Sequence, residues 1–384
     1  MGRHLMRKQP PPLYQRIRQI LESARAGAAR SVNTAQVMAY WLIGREIVEE
    51  EQRGRRRADY GARLLIELSS RLQADFGKGF SVNNLEHFRD FYLTYPRLVS
   101  PENSHALRVK LAVGSVMGLP AISHAVRGKS GQSSSWTPGL LHPNLSWTHY
   151  RVLLRVDKPE ARSFYEVEAI KNNWSARELE RQKNSLLYER LALSKDKKGL
   201  MQLATQGHKV QQPADVFKDP VVMEFLGLPE SPRLVETDLE QALINNLQAF
   251  LLELGKGFAF VARQERLTLD GDHFYIDLVF YHTVLKCYVI IDLKTGKLTH
   301  QNLGQLQLYV NYYDRERRTE GDNPSLGLIL CADKNDTVVK YTLAPDQQKK
   351  IFASRYKLHL PTEAELKAEI RRELEMLRGG EDKS

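Results

Sequence analysis

Three side chains in the last third of this 384-residue sequence are the wrong kind for their surroundings. Asp277 interrupts the apolar run from His273 to Tyr281, Asp292 follows Tyr288-Val289-Ile290-Ile291, and Lys294 stands two residues further on. A carboxylate taken out of water without a partner costs several kcal/mol, on the order of what a whole domain can spare, so a compensating charge is expected beside it. A divalent cation is the natural candidate. Asp292 and Lys294 are two apart on one strand and therefore share a face, which sets an ammonium beside the carboxylate. That combination suits phosphodiester hydrolysis. Two acids supply hard oxygen ligands for Mg²⁺ or Mn²⁺, the metal polarises a phosphate and lowers the pKa of a bound water, and the lysine orients that water or offsets developing negative charge. The plainer alternative is a structural salt bridge between Asp292 and Lys294. Acid-x-Lys triplets also occur at Asp196-Lys197-Lys198, Glu365-Leu366-Lys367 and Glu381-Asp382-Lys383, but only Asp292-Leu293-Lys294 lies in an apolar strand.

The elements that must position these groups follow from periodicity. Leu239 to Leu254 reads as one amphipathic helix stopped by Gly255 and Gly257, and Phe258 to Gln264 as a first strand. Asp270-Gly271-Asp272 supplies a turn. In the next strand, 273–281, Phe274, Ile276, Leu278 and Phe280 are expected on one side, with Tyr275, Asp277, Val279 and Tyr281 on the other. A third strand over 285–293, a helix over 301–313 and a fourth strand over 326–330 complete the order αβββαβ for residues 229–362.

Ahead of it the chain reads as helical over residues 1–97 and again over 144–228, around a Ser/Gly/Pro-rich linker or insert at 98–143; a charged helix or tail occupies 363–384. Two helices are expected in the first half of 1–97, then the basic turn Arg53-Gly54-Arg55-Arg56-Arg57, then a stripe of Leu64, Leu65, Leu68 and Leu72. Gly79-Phe80-Ser81 before a helix capped by Ser81 gives a helix-turn-helix outline, for which ordinary helix packing is the alternative. Ser175 and Glu178 are spaced as a capping box ahead of a helix carrying Arg177, Arg181 and Arg190, with Lys197 and Lys198 just beyond. Of the net charge of +10, residues 1–230 hold 35 Lys and Arg against 23 Asp and Glu, whereas residues 231–362 hold 16 of each. Arg53, Arg55, Arg56, Arg57, Arg177, Arg181, Lys197 and Lys198 are therefore the candidate phosphate contacts, a solvated helix surface being the alternative.

No run approaches the twenty apolar residues of a membrane span, and Met1 to Pro12 lacks the apolar core of a secretory signal, so a cytoplasmic protein is expected. Cys287 and Cys331 read as buried hydrophobes in a reducing compartment. Lys294-Thr295-Gly296-Lys297 and Gly255-Lys256-Gly257 fall short of a phosphate loop, and no serine sits in a nucleophile elbow.

The αβββαβ order, Asp277, the Asp292-Leu293-Lys294 triplet and the following Gln305-x-x-x-Tyr309 resemble the PD-(D/E)xK nuclease superfamily, a restriction-endonuclease-like fold. More closely, Tyr40-Trp41-Leu42-Ile43-Gly44-Arg45, Leu186-Leu187-Tyr188-Glu189-Arg190-Leu191 and Leu252 to Phe260 are similar to the bacterial YhcG-like branch, over nearly all of the chain except 98–143. The resemblance implies a helical DNA-binding region joined to a nuclease domain. It makes Asp277 and Asp292 metal ligands, with help from the backbone carbonyl of Leu293, and Lys294 the catalytic lysine. Glu240 becomes the helix acid, in register with Leu243, Leu247, Leu251 and Leu254, unless it is a solvated boundary residue. Gln305 and Tyr309, one turn apart, would face the site or the nucleic-acid backbone, with packing the alternative for Tyr309. Gln264 would join the polar cluster or remain solvated. The triplet opens with Asp where close relatives often have Glu, which shortens the reach to the metal by one methylene. A metal-dependent DNA endonuclease in genome defence or DNA processing is expected, with RNA left open and dimerisation suggested by analogy with enzymes that cut both strands. The alternative is an inactive nucleic-acid-binding or assembly protein on a nuclease-like scaffold.

Overall fold

A computed structural model describes residues 12–53, 60–99, 136–192, 197–229, 231, 234–362 and 364–365; the side chains of 12–26, 53, 60–62, 197 and 198 are not described. The chain divides into two compact units, residues 1–180 and 181–384. No described helix is long and apolar enough to cross a membrane.

The first unit is helical. Where the periodicity predicts two helices, a single helix α1 runs from Pro12 to Arg53. Within it the hydroxyls of Ser31 and Thr34 donate to the carbonyls of Gly27 (3.1 Å) and Arg30 (2.8 Å) one turn back, so these polar groups are satisfied inside the helix. Helix α2 (Tyr60–Phe76), a short turn of 3₁₀ helix and α3 (Val82–Thr94) follow, with Ser81 capping α3 through the amide of Asn84. Gly44 of α1 lies so close to α3 that a Cβ there would meet the Phe88 carbonyl oxygen at 1.9 Å, so only glycine fits. Phe88, Leu85, Ile47 and Leu65 form the core beneath.

Helices α4 (Trp147–Leu153) and α5 (Pro159–Asn172) bring a buried acid into this unit. The Glu166 carboxylate is 2% exposed and accepts the Gly139 amide at 2.7 Å. Burial pushes its pKa up to about 7, against the pull of the Gly139 amide, the Tyr95 hydroxyl and Arg162. A carboxyl whose folded pKa is raised contributes stability fully below its unfolded value and loses it as pH rises through the folded one. Unfolding stability should therefore decline between about pH 4.5 and 7, by on the order of 3 kcal/mol from this group. Glu166→Gln should flatten that decline, and thermal melts of both proteins across this range would measure it.

The second unit contains α6 from Arg181 onward (Ala176–Asn184), α7 (Leu187–Ala192) and α8 (Lys197–Gln206). The capping box forms as the spacing predicts, with the Ser175 amide donating to Glu178 at 2.6 Å and the Glu178 amide to Ser175 Oγ at 3.3 Å. The predicted continuous helix breaks at Leu186, whose φ is 54°. Beyond it lies a six-stranded sheet in the order β1-β6-β5-β4-β3-β2: β1 Val221–Val222, β2 Phe258–Leu269, β3 Asp272–His282, β4 Cys287–Lys297, β5 Leu326–Asp333 and β6 Ile351–Lys357. β2, β3 and β4 are antiparallel, while β5 and β6 join β4 in parallel and β1 adds beside β6. The αβββαβ core is present, with β1 and β6 as further strands.

The helix predicted over 239–254 is two, α9 (Glu236–Asn245) and α10 (Leu247–Leu254), divided at Asn246. They cover one face of the sheet through Leu239, Leu243, Phe250 and Leu254, packed on Leu278, Phe280, Val289, Ile291 and Leu293. Helix α11 (His300–Tyr312), capped by Thr299, covers the other with Leu303, Leu306 and Val310, on Ile276, Val279 and Ile290. A short helix, α12 (Asp336–Thr342), precedes β6.

One expectation for β3 fails here. Ile276 and Leu278 should share a face, yet Phe274 and Ile276 pack with α11, whereas Leu278 and Phe280 pack beneath α9 and α10. The strand changes sides at Asp277. Opposite it, Gln264 of β2 has a left-handed backbone (φ 46°), which is strained for a side-chain-bearing residue and breaks the alternation.

Candidate active site

The site lies where two strands part. The register joining β3 to β4 ends at the pair Leu278 and Ile291, so past that point the backbone amide of Leu293 is not paired with the β3 backbone. The Asp277 carboxylate takes that amide, Oδ2 accepting it at 2.8 Å. Its other oxygen accepts Gln264 Nε2 at 3.2 Å, and the same amide group donates to Glu240 Oε2 of α9 at 2.5 Å. Gln264 therefore bridges two acids from two elements while remaining open to solvent. Glu240 is 5% exposed, as its register predicts, and Arg263 stands 3.7 Å from its second oxygen.

Asp292 is 1% exposed and accepts no aligned hydrogen bond on Oδ2. The Lys294 ammonium lies 3.1 Å from that oxygen and donates on its other side to Glu236 Oε2 at 3.3 Å. Asp292 and Lys294 thus meet, and Asp277 lies near enough to act electrostatically on both. Burial pushes the Asp292 carboxyl up to about 7, Lys294 pulling against it and Asp277 pushing with it. Burial also raises Asp277, opposed by the Leu293 amide, and raises Glu240, opposed by Gln264 and reinforced by Asp277. For Lys294 burial acts downward but Asp292, Glu236 and Asp277 outweigh it, so its pKa rises and it stays an ammonium.

Tyr309 and Gln305 bond to each other, Gln305 Nε2 donating to the tyrosine hydroxyl at 2.5 Å, and that hydroxyl donates to the Tyr275 carbonyl at 3.1 Å. Tyr309 is fully buried among the α11 contacts. Its place is that of a strut fixing β3, close enough for Asp292 and Asp277 to raise its pKa alongside burial. Glu236 was missed at the sequence level. It stands one helical turn before Glu240, and that spacing was the available signal.

Arg181 does not take the place expected of it. Its guanidinium donates to Glu224 (2.8 Å), Glu253 (3.2 Å) and the Val222 carbonyl (3.0 Å), so it is committed to an internal ion network. Arg190 is fully buried in the same network. Arg177 is exposed. Arg55, Arg56 and Arg57 lie outside the described residues; Arg53 ends α1 and Lys197 and Lys198 begin α8, and their side chains are not described.

The family described as "DUF1016 N-terminal domain" matches residues 16–190, and "YhcG PDDEXK nuclease domain" matches residues 214–374. The chain belongs to the YhcG family. "Putative nuclease YhcG" of Escherichia coli (strain K12) is 38% identical over 369 residues, which cover 96% of this chain and 95% of that protein. Among solved structures, a repair endonuclease from Pyrococcus abyssi shows 15% identity and a TM-score of 0.24 over 35% of this chain and 50% of its own. An EndoMS complex with double-stranded DNA shows 13% identity and a TM-score of 0.25, over 35% and 47%. The chain thus spans about half the length of each of these solved chains. The restriction-endonuclease-like fold of this YhcG-family member follows from the family match and from the sheet flanked by α9, α10 and α11.

Among the described residues no three His, Cys, Asp or Glu side chains gather closely enough to hold an ion between them. The donor set nevertheless fits a hard cation. Mg²⁺ binds proteins through one or two carboxylates and leaves its other positions to water and phosphate. Asp277 and Asp292 provide that number, and Asp292 Oδ2, buried with the Lys294 ammonium beside it and no aligned hydrogen bond, is the kind of atom a cation would face.

Proposed function

We propose that this chain is a divalent-metal-dependent endonuclease that hydrolyses phosphodiester bonds in DNA. The observation that carries the reading is a buried carboxylate, Asp292, whose Oδ2 lies 3.1 Å from the Lys294 ammonium, at the point where β3 and β4 separate. Asp277 and Asp292, with the Leu293 carbonyl, would hold Mg²⁺ or Mn²⁺, which would supply Lewis-acid polarisation and a water of lowered pKa, and Glu240 would act through the water around the ion. Lys294 places a fixed positive charge where a phosphate gains negative charge. Gln264 and the Leu293 amide orient Asp277, and Tyr309 holds the strand that carries it. The basic excess of residues 1–230 draws DNA to the chain by counterion release. Arg181 and Arg190 do not take part, being committed internally. A cytoplasmic role in genome defence or DNA processing, with a dimer for double-strand cutting, belongs to the same reading.

The test is cleavage of supercoiled plasmid and branched DNA by the full chain with Mg²⁺ or Mn²⁺ and with excess chelator. Cutting that appears with metal and disappears with chelator is expected. No cutting with either metal would favour the second reading, an inactive scaffold, which the absence of a three-acid group among the described residues supports. Affinity for DNA should fall steeply with added salt, and a flat response would remove the role given to the basic region.

A further inference from the structure

β2 and β3 continue as a two-stranded ribbon past the end of the β3–β4 register, pairing Arg263 to Leu269 with Leu278 to Asp272. The ribbon closes on Asp270-Gly271, both residues with positive φ, as a tight two-residue hairpin turn requires. One face is anchored. Leu267, Phe274 and Ile276 pack with α11, and Glu265 is held by the Tyr313 hydroxyl and by Arg317 at 3.0 Å.

The other face is open and polar. Thr268 pairs with His273, their side chains 3.1 Å apart, and Arg266 pairs with Tyr275, which is 49% exposed. One step further inward comes Gln264, which bonds Asp277 and Glu240. Successive pairs on a strand face are about 6.6 Å apart, so this row leads from the ribbon into the acid cluster in two steps. Arg266 touches Thr268 and His273 at 3.4 Å and has no carboxylate partner among the described residues. Its charge is therefore available to an anion. Asp270 and Asp272 at the turn would repel phosphate, which confines the track to the stretch beside the cluster.

A cation free of acid partners next to a phosphate-cleaving site suits a neighbouring phosphate. An exposed tyrosine ring beside it suits the face of a base, but stacking is gained only by a base that is not already stacked in a duplex. Building on the nuclease reading, we propose that this ribbon face holds the DNA strand flanking the scissile phosphate, with Arg266 on a phosphate and Tyr275 stacked on an unpaired base. The preferred substrate is then DNA with single-stranded nucleotides beside the cut, such as a fork, flap or gap.

The experiment is fluorescence anisotropy of the full chain, in chelator, with a labelled forked DNA and a fully paired duplex of the same sequence. The wild type should bind the fork about tenfold more tightly. Tyr275→Ala should lose that preference by weakening the fork alone, and Tyr275→Phe, which keeps the ring, should retain it. Arg266→Gln should weaken both and lower the salt slope by about one. Both side chains are exposed, and a thermal melt checks that the variants fold. Equal wild-type affinity for fork and duplex, no binding to either, equal losses on both with Tyr275→Ala, or an unchanged slope with Arg266→Gln would each overturn the proposal. Because binding is read without metal, a chain that prefers forks but cuts nothing loses only the nuclease reading, whereas one that cuts DNA without these effects loses only the ribbon.

Discussion

Changing Lys294 to Met should lower metal-dependent cleavage by about 100- to 1,000-fold, the range seen when one preorganised electrostatic contact to a developing anion is removed. Methionine keeps most of the stem that packs at this 15%-exposed position and removes only the charge. The loss should therefore appear in the catalytic rate with little change in DNA affinity. Lys294→Arg should not restore the rate, because a planar fork held between Asp292 and Glu236 cannot present the compact charge of an ammonium. Single-turnover cleavage with saturating protein separates the rate from binding. A Lys294→Met protein that cuts as fast as the parent would leave Lys294 as the plain salt-bridge partner that the sequence also allowed.

The largest expected effect on stability lies at Glu253. This carboxylate is fully buried and receives Arg190 (2.6 Å), Arg181 (3.2 Å) and the Val222 amide (3.0 Å). Arg190 is itself fully buried and also donates to the carbonyls of Ser185 and Pro220. Burial alone would raise the carboxyl, but Arg190, Lys218 and Arg181 overcome it and hold the pKa near 2. Glu253→Ala leaves buried guanidinium charge uncompensated and should cost about 3–5 kcal/mol, read as a shift in the urea midpoint. Pairing Glu253→Leu with Arg190→Met removes both charges and should recover much of that loss. The sign in pH is fixed as well. A depressed carboxyl gives stability present above its unfolded pKa of about 4.5 and lost as pH falls toward 2, so Glu253→Gln should be less acid-sensitive relative to its own neutral-pH stability. A double variant no more stable than Glu253→Ala would mean that the network contributes through shape and not through charge.

The strands of the candidate site are legible because polar residues inside apolar runs need a reason, and Asp277, Asp292 and Lys294 supply one. The same logic applied to Glu253, within Leu251-Leu252-Glu253-Leu254, would have found its network. A helix, however, ordinarily gives such a residue a solvated side, so the pattern alone does not mark it as buried. Arg181 and Arg190 look identical to surface arginines in sequence, and direction of burial is a tertiary fact that charge counting does not contain. β6 carries Ser354, Arg355 and Lys357 among its apolar residues, too mixed a pattern to stand out, and β1 is two residues long. The change of side at Asp277 depends on a backbone kink at Gln264, and glutamine gives no warning of a left-handed conformation.

That kink leaves Asp277 with two occupations. Its carboxylate stands in for a rung of the sheet, closing the amide of Leu293 where the opposite strand has already turned away. Any replacement that disturbs the proposed ligand also unzips the end of the ladder, and the two injuries arrive together. A dead Asp277 variant is thus ambiguous until its folding free energy is known, whereas at Lys294 the chemistry can be removed and the scaffold left whole.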